Sequence, residues 1–323
     1  MPWFSHKHHD DSSSSSASSS KSLTSSFYPR YPDDAPPEWT ISEQKSHRWG
    51  RYNEAPEEEY DTAEAFCAQY PVFDPIIVPS HAIDRIKEDG GRAWGIELPT
   101  AYDMQRFSGR IENISAGSKQ TVVHVSTDKK CKDFCLMSNL PIMAGLYDTS
   151  GRTGVYYEVI IKKMNPPKSF LAIGTACRPY PNYRLPGWNR HSAGLHLDDL
   201  RKFFEDPDGG RDYQVPFDRV RSGDIIGCGY IFASGTLFYT WNGVRLSDAF
   251  HGIHLPRHAT DVFAAIGVEG ETEFDVNFGG DLFKWKEGNE WQWKVDGLTG
   301  RMSDGIGGFD EELPAYTRTA IQV

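Results

Sequence analysis

The stretch "NRHSAGLHLDDL" brings His191, Ser192, His196, Asp198 and Asp199 close together in the chain. These are the residue types of a nucleophile, a base and an orienting acid, and two adjacent carboxylates beside a histidine could also hold a cation. A hydrolase needs its nucleophile on a strained or grooved turn. Here no G-x-S-x-G turn and no α/β pattern accompanies the cluster, so the stretch reads as a loop fixed by side-chain hydrogen bonds to backbone. Too few ligands converge locally to hold Ca²⁺ or Zn²⁺, and no metal site is expected. Gly227, Gly229, Gly279 and Gly280 fall at strand ends or inside strands, with no G-x-G-x-x-G ahead of a helix. That argues against a nucleotide site, and no cofactor is expected.

The five cysteines (Cys67, Cys131, Cys135, Cys177, Cys228) form an odd, scattered set. Cys131 and Cys135 stand four apart with no second pair at metal spacing, so the set reads as buried or free thiols in a reducing compartment. Another kind of chemistry lies near the C-terminal end. Leu313-Pro314-Ala315-Tyr316 follows Asp310, Glu311 and Glu312 and fits the [L/P]-P-x-Y pattern read by WW domains. Pro314 pre-sets the polyproline φ, so little entropy is lost on docking, and Tyr316 reaches a second pocket. The acidic residues would steer the segment toward a basic rim.

Charge and composition bound the rest. A formal net charge of −11 gives no attraction to phosphate, so nucleic acid is excluded as an expected partner and acidic membrane surfaces are disfavoured. Aromatic residues make up 13% of the 323 residues, enough for a real core, while a hydrophobic share of 38% points to substantial loop-rich or disordered segments. The serine-rich start has no apolar signal-peptide region, and no run of apolar residues is long enough to span a bilayer. The chain is expected to be cytosolic and monomeric, with no direct membrane insertion.

The elements follow from hydrophobic period. Residues 1–60 read as a disordered serine- and proline-rich lead-in, with His6, His8 and His9 as a short solvated cluster. Residues 61–105 read as a helical extension that docks on the strands after it. "DTAEAFCAQY" puts Ala63, Phe66 and Tyr70 on one face, and "SHAIDRIKEDGG" is capped by Ser80 and stopped by Gly90-Gly91. From about residue 106 to 295 the period becomes 2. In "GVYYEVIIKK", Val155, Tyr157, Val159 and Ile161 alternate with Tyr156, Glu158, Ile160 and Lys162. Asn242-Gly243 supplies the two positive-φ positions of a tight hairpin. "GDIIGCGYIF" and "DVFAAIGV" are continuous apolar runs, as strands covered on both faces should be. Phe274, Val276 and Phe278 share one face of "TEFDVNFGG". Trp188, after a Pro-Gly turn, reads as a core plug, and "FKWKEGNEWQWKV" as a strand or extended arm over the sheets. Many short strands with glycine turns and no long helix between them define an all-β, two-sheet antiparallel sandwich, with a flexible acidic tail over 296–323.

"GVYYEVII", "IGTAC", "RLPGWNRHSAGLHLDD", "GDIIGCGY", "LFYTWNG", "AAIGV" and "VNFGG" occur here in an order that resembles SPRY (B30.2-like) domains, particularly the RanBPM-like branch. The block "AFCAQYP…SHAIDRI" is similar to the N-terminal extension of fungal SPRY adaptors of Nedd4-type ubiquitin ligases. This resemblance implies a non-catalytic sandwich whose rim loops hold a target peptide or protein. It implies one pocket wall from Ser138, Asn139, Leu140, Pro141 and Ile142, and the opposite wall from Tyr180, Tyr183, Arg184 and Leu185. Arg184 would offer its guanidinium fork to a carboxylate or backbone carbonyl at the rim. Trp241 stands where the family often has lysine, which alters the surface beside the Asn242-Gly243 turn. The resemblance further implies an adaptor whose tail recruits a WW-domain HECT-type ubiquitin ligase, with any endosomal or vacuolar placement arising through partners. The alternative reading is a scaffold subunit of a larger assembly, with the sandwich face as a fixed docking surface.

Overall fold

A computed structural model of the chain describes residues 57–149, 151–207 and 209–291. The serine-rich start and the Leu313-Pro314-Ala315-Tyr316 motif lie outside the described residues. Two helices come first, α1 (Glu57–Gln69) and α2 (Ser80–Asp89). The first begins at Glu57 rather than at Asp61. The second is preceded by Pro79 as its N-cap, with no side-chain capping bond, so Ser80 is the first helical residue and not the cap. Gly90 ends α2 at φ 58°, donating its N–H to the Ile86 carbonyl, a left-handed stop that glycine adopts without strain. The next residue, Gly91, sits against the Gly279 backbone so closely that a Cβ would lie 2.4 Å from it. This contact seats the extension on the sheets.

Strands β1 (Gly109–Glu112), β2 (Val123–Thr127), β3 (Phe134–Met137), β4 (Gly154–Lys163), β5 (Ser169–Cys177), β6 (Ser192–His196) and β7 (Arg201–Phe204) are followed by β8 (Arg211–Asp212), β9 (Ile225–Ile231), β10 (Thr236–Trp241), β11 (Val244–Phe250), β12 (Val262–Gly270) and β13 (Glu273–Asn277). Among the described residues they form a seven-stranded sheet in the order β1-β2-β13-β4-β9-β10-β11 and a six-stranded sheet in the order β3-β12-β5-β6-β7-β8. The strand pairs are antiparallel, including β4 with β9 and β5 with β12. The fold is the expected all-β sandwich.

The core lies between the two sheets. Val155, Tyr157, Val159 and Ile161 of β4 face Leu171 and Ile173 of β5, all essentially inaccessible to solvent. The Tyr157 hydroxyl crosses the gap to donate 2.6 Å to the Gly174 carbonyl, so this polar group inside the core is satisfied. The alternating half of β4 departs from expectation. Tyr156 and Glu158 are also buried, because the aromatic arm lies over the outer face. Phe283, Trp285 and Trp291 pack on Tyr156 and Phe238, and Glu158 accepts the backbone N–H groups of Lys284 and Trp285 at 2.9 and 3.0 Å. Gly227 and Gly229 of β9 make this layer possible. A Cβ on Gly227 would lie 1.9 Å from the Tyr156 hydroxyl, and one on Gly229 would lie 2.2 Å from the Phe238 ring. The hairpin turn at Asn242 (φ 50°) and Gly243 (φ 83°) has the conformation that its dipeptide requires.

Candidate functional site

Asn139, Leu140 and Pro141 form one wall of a cavity of about 530 Å³, and the opposite side comes from the extension. Between α1 and α2 the segment Pro71–Pro79 runs as an extended strap. Phe73 N–H donates 2.8 Å to the Arg178 carbonyl, Ile76 N–H 3.1 Å to Asp261, and Val78 N–H 3.1 Å to the Tyr147 hydroxyl. The strap is held by these backbone bonds and by buried Val78, which leaves Phe73, Ile76 and Ile77 turned outward. Phe73, Ile76 and Ile77 are exposed at 60%, 62% and 63%. Phe73, Ile76, Phe263 and Ala93 give the cavity an apolar lining, with His81, Arg85 and Arg178 as its basic groups and Asp74 and Asp261 as its acidic ones. The other carboxylate oxygen of Asp261 takes the Gly145 N–H at 2.7 Å, and burial raises its pKa above the usual carboxylate value.

A second cavity of about 240 Å³ shares Phe73 and Arg178 and continues past Leu98, Pro99, Met137, Tyr180 and Asn182. Arg178 is therefore the hinge of the groove. Its guanidinium lies 4.3 Å over the Phe263 ring, and its Nη2 reaches the Ser138 carbonyl at 2.9 Å and Glu97 at 2.5 Å. Its buried Nε has no hydrogen-bond partner among the described residues. A partly exposed cation held in place on an aromatic face can attract a carboxylate.

The residues expected from sequence divide sharply. Ser138 and Ile142 are buried anchors rather than contact residues. The Ser138 hydroxyl donates 2.7 Å to the Leu140 carbonyl, and Ile142 N–H donates 2.8 Å to the Val262 carbonyl. Asn139 is exposed and clamps the extension, exchanging bonds with Gly95 at 2.8 and 2.9 Å. On the other expected wall, Arg184 is not a rim residue. It is 1% exposed, its Nε donates 3.0 Å to Asn189, and its guanidinium lies 4.5 Å from the Trp188 ring centre. Burial lowers its pKa. Leu185 is equally enclosed, in a cluster with Ala172, Trp188 and Phe203. The Tyr180 hydroxyl is occupied by the Leu185 carbonyl at 2.6 Å, although Tyr180 also borders the second cavity.

The reason is α1, which closes over this loop. Glu64 takes a hydrogen bond from Asn189 at 2.9 Å, and Arg190 donates to the carbonyls of Cys67 and Tyr70. Tyr183 remains half-buried beneath Arg106, whose guanidinium is 5.7 Å from the ring centre and which pairs with Glu59 at 3.0 Å. Trp241 lines neither cavity. It packs on Phe217, with ring centroids 4.7 Å apart, as part of the core margin. Trp188 is the expected plug, 3% exposed.

The His–Ser–Asp stretch is built as a loop. The Ser192 hydroxyl donates 2.5 Å to the Asn189 carbonyl, His196 stacks on Phe203 at 4.0 Å, and Asp199 accepts the Arg201 N–H at 3.0 Å. The five cysteines are free and buried, and burial pushes Cys131 up to about 11 and Cys177 to about 12, away from thiolate reactivity. No helix among the described residues is long and apolar enough to cross a membrane.

Two facing antiparallel sheets carry a groove built from loops and the N-terminal strap. Residues 154–281 match the SPRY domain family. The strands before residue 154 complete both sheets. Protein ssh4 of Sclerotinia sclerotiorum is 32% identical over 179 residues, covering 54% of this chain and 30% of that protein. The Ran-binding proteins 9/10 homolog of Drosophila melanogaster is 35% identical over 144 residues, covering 43% of this chain and 14% of that one. A solved human SPRY domain covers 50% of this chain and 98% of its own length, at 21% identity and a TM-score of 0.37. The matched region spans about a third of the ssh4 protein's length, or less.

Phe73, Arg178, Asp261 and Phe263 are functional candidates that sequence reasoning misses. The extension is expected to dock, but its strap "PVFDPIIVP" carries neither a helical nor a strand period. Its contribution to a binding surface therefore leaves no local signal.

Proposed function

We propose that this chain is a non-enzymatic adaptor. Its groove, between the strap and the Asn139–Pro141 loop, holds a target peptide or protein segment, and Leu313, Pro314 and Tyr316 recruit a WW-domain HECT-type ubiquitin ligase. Modification of the target then occurs by proximity on the partner, and any endosomal or vacuolar placement comes through those partners. The observation that carries the reading is the groove itself: about 530 Å³, largely apolar, and open along exposed Phe73 and Ile76. It also has a fixed, partly exposed arginine at its junction. An extended segment with a large apolar side chain next to a carboxylate complements it. The similarity to ssh4 proteins over the sandwich supports the adaptor class.

The test has two arms. A peptide array probed with the full chain should yield apolar–acidic sequences whose capture falls in Phe73→Ser and in Arg178→Ala. Capture unchanged by both substitutions would remove the groove from the proposal. Immobilised WW domains should retain the wild type and release Tyr316→Ala. Equal retention of the two would remove the tail.

A further inference from the structure

Three side chains far apart in sequence meet where β5 ends. Cys177 is the last residue of β5, His191 precedes β6, and His254 lies in the loop before β12. Their sulfur and ring nitrogens all lie within 4.8 Å of one another. We propose that Cys177, His191 and His254 form a binding site for a thiophilic transition-metal ion, Zn²⁺ in the first instance.

The donor set is one cysteine thiol, which an incoming metal deprotonates, and two imidazoles, a combination suited to zinc. The Cys177 Sγ is 3.8 Å from His254 Nδ1. A tetrahedral ion with a Zn–S bond of about 2.3 Å and a Zn–N bond of about 2.0 Å sets those two donors about 3.5 Å apart, so this pair needs little movement. His254 is oriented from behind, because its Nε2 lies 3.0 Å from the Thr175 hydroxyl. With the Nε2 proton on that bond, Nδ1 presents its lone pair to the metal, the arrangement by which an outer partner fixes a ligating tautomer. The backbone is equally set, since Cys177 N–H donates 2.9 Å to the His191 carbonyl, holding the two residues opposite each other.

Cys177 and His254 are buried whereas His191 is partly exposed. The mouth of the site is therefore on the His191 side, and that side chain closes over an incoming ion. Three protein donors leave one position of a tetrahedron for water or for a partner's side chain. Binding releases the thiol proton, so retention weakens as pH falls.

The experiment uses the full chain with His6, His8 and His9 replaced by alanine in every sample, so that the N-terminal histidines contribute nothing. The protein is equilibrated with Zn²⁺, dialysed and analysed for metal, and a parallel sample is titrated with Co²⁺ and followed by its sulfur-to-metal absorption. The expected result is one ion per chain, with affinity reduced about tenfold or more in His191→Ala. The sulfur-to-cobalt band should be lost in Cys177→Ser and retained in Cys135→Ser. His191 is partly exposed, and circular dichroism checks that its alanine variant is folded. No ion retained by the folded parent would overturn the assignment, as would retention by Cys177→Ser and His191→Ala equal to that of the parent.

Discussion

The loop at 138–142 and the loop at 180–185 start from the same expectation, two walls of one rim pocket, and end in opposite states. The first keeps Asn139 exposed and Leu140 half-buried beside the groove, while Ser138 and Ile142 bolt it to β12. The second is sealed under α1, with Arg184, Leu185 and Trp188 as interior residues. A loop can serve binding only where something else supplies its rigidity without covering its face. Here backbone bonds to the extension and β12 do that for the first loop, whereas a whole helix does it for the second.

The sharpest way to break this contrast is Arg184→Ala. If the loop is interior, the substitution empties a packed site above Trp188 and strands the Asn189 side-chain oxygen, lowering stability by about 3 kcal/mol. Chemical denaturation measures this, and an unchanged midpoint would return Arg184 to the surface.

Next comes Asp133, which lies near Glu59, Arg106 and Arg184 in the sealed region. Burial, reinforced by Glu269 and Glu59, raises its carboxyl to about 8. An acid raised in the folded state contributes stability that is present below its unfolded value and lost as pH rises through the folded one. Between pH 6 and 7 the wild type should therefore lose up to about 1.4 kcal/mol that Asp133→Asn does not. Parallel pH–stability curves for the two proteins would show that Asp133 is not buried as described.

On the open side the signs reverse. Phe73→Ser should shift stability by less than about 1 kcal/mol, because Phe73 is largely exposed. The same change should abolish groove-dependent peptide capture; a folded variant that still captured peptide would break the contrast from this end. The smallest effect belongs to Tyr183→Ala, where a partly exposed cation–π contact with Arg106 is worth about 0.5–1 kcal/mol. A thermal melt resolves that difference, and a loss as large as that of Arg184→Ala would place Tyr183 inside the sealed region.

The alternation in β4, the Asn242-Gly243 turn and the apolar runs of β9 and β12 are legible because each depends on a few neighbouring residues. Local period and turn chemistry report which face is buried, and the buried face of Val155, Tyr157, Val159 and Ile161 follows from spacing alone. The candidate site is half legible. Asn139, Leu140 and Pro141, placed on a rim wall by resemblance, line the cavity, but Arg178 and Phe73 leave no such signal, and Arg184, expected at the rim, is buried. Its sequence context, "PNYRLPGW", reads as an exposed turn, and nothing local reveals that Glu64 and Arg190 hold a helix across it.

The chain's own order of residues thus determined the two sheets, their inward faces and their tight turns, since those are short-range consequences of backbone geometry and hydrophobic period. Which loops face solvent was decided only in three dimensions. Exposure depends on which distant segment packs on top, and α1, the strap and the aromatic arm are joined to the surfaces they cover by contacts that local sequence does not encode. The meeting of Cys177, His191 and His254 belongs to the same category: no local spacing links the three, and the sandwich alone brings them to one point.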